Sequence, residues 1–124
     1  MGKPLPLTDA RKATVLARAV IRAARALGLS QKTLAGTLGV SEATVSRLSH
    51  GRAIAPASKE SELAVLFVRL FRSLDSLVGG DASKARDWMH ADNLHLRAVP
   101  AELVVSVSGL VRTVEYLDAL RGKS

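Results

Sequence analysis

Small polar and basic side chains recur through residues 30–52, which read SQKTLAGTLGVSEATVSRLSHGR. The most informative of them is Arg47, because a guanidinium group can donate two hydrogen bonds to one guanine, a contact worth about 1–3 kcal/mol of discrimination. Glu42 could accept a hydrogen bond from cytosine, and Ala43 could contact the methyl group of thymine. These residue types predict contacts with the bases of DNA.

Other polar residues in the same segment have chemistry that suits phosphate groups. Gln31 is expected at the start of a helix, where a side-chain amide and free backbone N–H groups can bind a phosphate. Hydroxyl groups and one further arginine add to this set. The full set of candidate DNA contacts is Gln31, Ser41, Glu42, Ala43, Thr44, Ser46, Arg47 and Arg52.

Two short helices joined by a glycine turn are needed to hold these residues in place. Ser30 and Ser41 are expected N-caps, and Gly39 is the expected left-handed end of the first of the two helices. Four apolar positions should face a shared core, namely Leu34, Leu38, Val45 and Leu48. With those positions buried, the later helix presents its polar residues outward, as the recognition helix of a helix-turn-helix does.

The composition favours an all-α protein that has neither disulfides nor thiolate metal sites. The 124 residues are 48% hydrophobic but only 3% aromatic, and they include no cysteine. An aliphatic core therefore has to form, while disulfides and thiolate metal sites are excluded. The N-terminus lacks the apolar core of a signal peptide, and no apolar run approaches the roughly 20 residues of a membrane span, so we expect a cytoplasmic protein.

No catalytic group, cofactor or metal is predicted. Asp87 and His90 could share one helix face, but no third ligand follows them at a useful spacing. We find no arrangement of nucleophile and base and no phosphate-binding glycine loop.

Positive charge is confined to the first half of the chain. Residues 1–57 hold nine Lys/Arg and two acidic residues, whereas residues 58–124 hold nine of each, so the formal net charge of +7 lies entirely in the first half. A basic half joined to a neutral half indicates a polyanion-binding module attached to something else.

The first predicted helix runs from an N-cap at Thr8 to about Leu27. One side of it carries Arg11, Arg18, Arg22 and Arg25. These arginines either form a solvated face or approach phosphates that flank the site, or an acidic partner.

Further helices are predicted beyond the break around Pro56. The first runs from Ser58 to about Val78 with a broad apolar face, which indicates a domain interface or a dimer. The face consists of Leu63, Val65, Leu66, Phe67, Val68, Leu70, Phe71, Leu74 and Leu77. Later helices are expected from an Asp81 cap to about Ala91, from Pro100 to near Gly109, and from about Leu110 to Leu120.

The segment at residues 30–52 resembles the Xre/Cro family of phage-type repressors. The matching residues are Ser30-Gln31, Leu34-Ala35, Leu38-Gly39-Val40-Ser41, Thr44-Val45-Ser46-Arg47-Leu48 and Gly51. The resemblance implies a helix-turn-helix that binds operator double-stranded DNA, usually as a dimer. A helical packing unit that has lost DNA binding is the alternative.

Residues 81–122 resemble the toxin-binding domain of Xre/MbcA/ParS-type antitoxins. The matching residues are Trp88, Asn93, Leu96, Pro100, Leu103, Gly109, Val114, Leu117 and Gly122. Arg97 and Ala98 stand where the family often has a glycine. Trp88 is either a core anchor or a contact with a partner. Together the two resemblances predict a DNA-binding domain at residues 1–57, a connecting or dimerisation helix at 58–80 and a toxin-binding domain at 81–124.

The paired resemblance implies an antitoxin of a type II toxin–antitoxin system. Its usual partner is a RES-domain toxin, which depletes NAD, and the antitoxin obstructs the toxin's active-site entrance and represses the shared operon. The candidate toxin contacts are Arg112, Tyr116, Arg121 and Lys123. The alternatives are a stand-alone Xre-family repressor whose second half dimerises, and a toxin-binding protein with a vestigial DNA module.

Overall fold

Helices make up all of the regular secondary structure in residues 7–122, the part of the chain that the structure, a computed structural model, describes. The elements within that part are α1 (Leu7–Ala26), α2 (Gln31–Leu38), α3 (Glu42–Ser49), α4 (Lys59–Leu77), α5 (Ala82–His90), α6 (Pro100–Leu103) and α7 (Val107–Gly122). The all-α prediction is confirmed. None of the helices in this range is long and apolar enough to cross a membrane.

Three predicted N-caps, together with Ser58 at the predicted start of a helix, form the hydrogen bonds expected of a cap. In each case the cap side chain accepts from the backbone N–H three residues later, and the caps are Ser30, Ser41, Ser58 and Asp81. Gly39 ends α2 in the left-handed conformation, with φ of 69°. The first helix differs from its prediction, because it begins at Leu7 and so places Thr8 in its first turn instead of at the N-cap.

Helix α4 lies at the centre of the molecule. It packs most extensively against α7 and also against α1 and α2. Phe67 and Leu70 on its apolar face are fully buried. Only Val65, at 53%, and Leu77, at 38%, remain exposed from that face. The broad apolar face is therefore covered largely within the chain, as expected for a domain interface, and dimerisation through it stays a prediction.

The predicted helix from Pro100 to Gly109 is wrong. Helix α6 ends at Leu103, and α7 begins at Val107, earlier than expected. Ser106 separates them: its backbone N–H donates to the Leu103 carbonyl, and its Oγ accepts from the Gly109 N–H at 3.0 Å. The chain thus turns within residues 104–106 and places Gly109 inside α7.

Helix α5 is fastened to the C-terminal end of α1. The Nε2 atom of His90 lies 2.9 Å from the Leu27 carbonyl oxygen, and the Arg86 side chain donates to the Ala26 carbonyl. Basic side chains at a helix C-terminus satisfy carbonyl groups that have no partner within the helix. This contact joins the two halves of the chain in addition to the packing of α4 against α1 and α2.

Candidate functional site

The α2–α3 unit buries the apolar residues that the helix-turn-helix pattern requires. Leu34, Leu38, Val45 and Leu48 are between 1% and 6% exposed. As a result, α3 turns Glu42, Ala43 and Arg47 toward solvent. The side chains predicted to contact bases thus lie on one exposed helix surface.

The N-terminus of α2 is open for a phosphate. Ser30 Oγ accepts the Thr33 N–H at 3.1 Å, and Gln31 is exposed in the first turn. The exposed side chain of Lys32 lies next to Gln31 and adds a cation that the sequence argument did not single out. A lysine two residues after the cap is the signal that could have identified it.

The remaining predicted contacts differ in how available their polar groups are. Ser41 Oγ caps α3 and lies 3.1 Å from Thr44 Oγ1, so the two hydroxyl groups bond to each other. Ser46 is half-buried, and its carbonyl accepts from Ser49 Oγ and from His50 Nδ1. Arg52 is exposed just beyond α3, beside Thr44.

Three of the four α1 arginines lie next to α3. Arg18, Arg22 and Arg25 line a cleft of about 310 Å³ whose other wall is Leu48, Ser49 and Gly51 at the end of α3. We call these three residues the arginine row. Arg11 does not belong to the row, because it lies beside another groove between α1 and α4. The row extends the positive surface from the recognition helix along α1, which favours the phosphate interpretation of these arginines over a merely solvated face.

A second polar surface is built on the turn that follows α5. Asn93 organises this turn: its Oδ1 accepts the Leu96 N–H at 2.9 Å, and its backbone pairs with Ala98. Leu96 is buried beneath the turn, and its carbonyl accepts from Arg112 Nη2 at 2.7 Å. The turn is therefore fixed both internally and to α7.

Arg97 adopts φ of 57° within this turn. That left-handed region is the one where glycine is favoured over other residues. A glycine at this position would adopt the same conformation without the steric cost that the arginine side chain carries. The chain keeps the turn despite having arginine there.

The tip of the turn is Leu94, which is 94% exposed. Beside it, the His95 ring stacks on Tyr116 of α7, with ring centroids 4.4 Å apart and an interplanar angle of 14°. We call Leu94, His95, Arg112 and Tyr116 the turn surface. Neither Leu94 nor His95 was predicted as a contact, although a leucine amid polar residues between two helices was the available signal.

The four predicted partner contacts do not form one site. Arg112 and Tyr116 belong to the turn surface, whereas Arg121 lies toward α4 and donates to Ser73 Oγ at 3.1 Å. Lys123 lies outside the described residues. Trp88 is half-buried and packs against the core, which agrees with the anchoring alternative.

The described residues include no group of His, Asp or Glu side chains that could hold a metal ion. Asp87 and His90 do not converge on a site, because the His90 ring is engaged with the Leu27 carbonyl.

Two family models match successive parts of the chain, and the two matches meet within α4. A family model described as the antitoxin Xre-like helix-turn-helix domain matches residues 6–69. A second, described as the antitoxin Xre/MbcA/ParS C-terminal toxin-binding domain, matches residues 73–123. No curated protein matches the chain. The first match contains α2, α3 and the arginine row, and the second contains the turn surface.

Proposed function

The chain belongs to the Xre-type antitoxins, and we propose that it neutralises a cognate toxin by direct binding and represses its own operon by binding operator DNA. Both matched families are regulatory domains of antitoxins, not enzymes. The observation that carries the proposal is the presence of two separate exposed surfaces in the two matched parts. One is basic and built on a recognition helix, and the other is built on a fixed turn.

Operator binding is supported by the geometry of the basic surface. Arg47 projects from α3, Gln31 and Lys32 lie at the α2 N-terminus, and the arginine row borders the far end of α3. Base contacts on α3 and phosphate contacts on either side of it fit a helix lying in the major groove. We propose that two copies bind together in the cytoplasm, so that their recognition helices contact half-sites about one helical turn apart.

Arg47 provides the sharpest test of operator recognition. Arg47→Lys keeps the positive charge but loses the planar pair of donors, so it should lower discrimination between operator and scrambled duplex by about 1–3 kcal/mol. Arg47→Ala should lose discrimination to a similar extent and some nonspecific affinity as well. Fluorescence anisotropy with both duplexes measures the two effects. Lys84→Ala, on exposed α5, is the control and should match the parent chain. Unchanged discrimination in Arg47→Lys refutes base recognition by this residue.

Toxin binding is supported by the turn surface. A leucine held on a rigid turn beside stacked aromatic rings can enter a partner's pocket with little loss of conformational freedom. Arg112 fixes the turn through the Leu96 carbonyl and is itself an exposed residue. We propose that this surface contacts the toxin and that the toxin is of the RES-domain, NAD-depleting type, as the family resemblance implies.

Co-expression with the neighbouring gene product tests the toxin assignment. Leu94→Ala should weaken the complex by about 2 kcal/mol, the scale of a central contact residue. Val107→Ala is the matched control, since Val107 is an aliphatic residue of the same half that is 61% exposed. The NAD level in the co-expressing cells reports the toxin type. A fall in NAD when Leu94→Ala weakens the complex supports the RES assignment. Stable NAD levels during toxin-induced growth arrest contradict the RES assignment. If the parent chain neither binds the toxin nor rescues the cells, the stand-alone repressor is favoured.

A further inference from the structure

An apolar groove with a basic rim runs between α1 and α4, away from both surfaces described above. Its cavity has a volume of about 560 Å³. The floor consists of Val15, Leu16, Ala19, Val65 and Val68, and the rim consists of Arg11, Lys12, Arg69, Arg72 and Arg121. We call this feature the α1–α4 groove. Val15 and Val65 are 57% and 53% exposed, which leaves two β-branched side chains open to solvent across the same groove.

The spacing of the lining residues fits a helix. On α1 they span residues 11–19, which corresponds to about 12 Å at 1.5 Å per residue. On α4 they recur over residues 65–72 at helical spacing. Two helix faces that flank an apolar floor form the geometry in which an amphipathic helix of two or three turns packs as a third member.

The basic residues on the groove rim indicate which kind of helix could bind there. Two rim residues are engaged within the chain: Arg69 pairs with Asp118, and Arg121 donates to Ser73. Among residues 7–122, no carboxylate forms an ion pair with Arg11, Lys12 or Arg72. No acidic side chain of this range lines the groove. A complementary occupant therefore has an aliphatic stripe flanked by carboxylates.

A second copy of the chain centred on this groove fits the requirement poorly, so a dimer formed through α4 would have to use the other exposed part of its apolar face, at Leu77. A twofold interface places the same patch against itself, so the basic rim of one copy would face the basic rim of the other. DNA is also a poor match, because phosphates would have to cover an apolar floor that includes two half-exposed valines. We propose that the α1–α4 groove binds an acidic amphipathic helix of a partner protein, as a docking site distinct from the DNA surface and the turn surface.

Binding of designed peptides to the full chain tests this proposal. The probe is a labelled helical peptide of about 15 residues, with leucines along one face and glutamates on both flanks. A second peptide keeps the leucines but replaces each glutamate with lysine, and a third keeps the glutamates but replaces the leucines with glutamine. Anisotropy titrations should show binding by the first peptide alone, and raised salt should weaken it.

Two variants of the chain test whether the peptide binds in the groove. Arg72→Glu should weaken binding of the acidic peptide by about tenfold, because it removes one attraction and adds one repulsion. Val65→Ser should also weaken it, since the floor loses apolar contact. Lys84→Glu carries the same charge reversal on α5, outside the groove, and should leave the affinity unchanged apart from a small general effect. All three sites are exposed, so the variants should fold.

Four results overturn the proposal. Equal binding of the glutamate and lysine peptides would show that charge does not select the occupant. Unchanged affinity in both Arg72→Glu and Val65→Ser would show that the peptide does not bind in the groove. Self-association of the parent chain that Val65→Ser abolishes assigns the groove to a second copy. A loss of duplex DNA affinity in Arg72→Glu as large as that in Arg22→Glu assigns it to DNA.

Discussion

Replacing Gly109 with alanine is expected to damage the junction between α6 and α7 severely. A Cβ atom at residue 109 would lie 1.9 Å from the Leu103 carbonyl oxygen and 2.7 Å from its carbonyl carbon, whereas an ordinary contact is 3.4–4 Å. The obstructing atoms belong to the backbone, so no rotation of a side chain can relieve the overlap. Either α6 must move away or α7 must unwind at its start.

The cost follows from what has to move. Overpacking of a buried site costs typically about 1–3 kcal/mol, and displacement also weakens the hydrogen bond from the Gly109 N–H to Ser106 Oγ, worth about 1 kcal/mol as a cap. We therefore expect Gly109→Ala to lower the free energy of unfolding by about 3 kcal/mol. For a chain of this size that corresponds to a fall in Tm of about 12 °C.

Thermal and urea unfolding of the full chain, followed by circular dichroism, measure this effect. Gly122→Ala is the matched control in the same helix, because no atom lies within 4 Å of the Cβ position there. It should unfold within about 0.5 kcal/mol of the parent chain. A Gly109→Ala variant that is as stable as Gly122→Ala would refute the close approach of α6 to α7.

Three further predictions concern the two binding surfaces. Arg22→Ala should reduce the slope of log affinity for DNA against log salt by about 0.9, as expected for one lost phosphate contact, and an unchanged slope removes Arg22 from the interface. Ser41→Ala should lower the free energy of unfolding by about 1 kcal/mol through loss of the α3 cap, and urea denaturation would show whether the cap contributes. Arg97→Gly should leave stability unchanged or raise it by up to about 1 kcal/mol, because it relieves a left-handed arginine. Ala98→Gly is its control and should destabilise the chain, so equal losses in both variants would contradict the strain at Arg97.

The helix-turn-helix could be predicted from sequence because its determinants are local. Ser30 and Ser41 form caps with N–H groups only three residues away, and Gly39 takes the left-handed conformation that ends α2. Each of these interactions lies within one turn of helix, so residue type and spacing are enough to predict it.

The half that matches the toxin-binding domain model was harder to predict because its determinants are distant in sequence. Gly109 is required by the Leu103 carbonyl, and the turn at Asn93 is fixed by Arg112 from α7. A glycine before apolar residues is the usual sign of a helix end, which is why the sequence placed a boundary there. In the structure, Gly109 lies within α7, and its lack of a side chain allows the end of α6 to pack closely against α7.

The charge division at residue 57 does not coincide with a boundary in the packing of the helices. Helix α4 begins beyond that division, yet α1 and α2 cover one part of its surface and α7 covers another. A fragment of residues 58–124 would expose apolar side chains of α4 such as Leu63, which lies 3.8 Å from the Cβ position of Gly39, so it cannot report cleanly on DNA binding. Charge-changing variants of the full chain are the sounder comparison.

Helix α1 carries both the arginine row, which we propose contacts DNA, and one wall of the α1–α4 groove, so the occupants of the two surfaces could influence each other. Lys12 on the groove rim and Arg18 in the arginine row are six residues apart, or about 9 Å along the helix axis. This distance is close to the Debye length of about 8 Å at physiological salt, so carboxylates bound at the rim weaken the attraction of Arg18 for phosphate only modestly. Any coupling must act equally in both directions. An acidic partner in the groove would therefore reduce DNA affinity at low salt, while at physiological salt the two surfaces act almost independently and one molecule can hold both ligands.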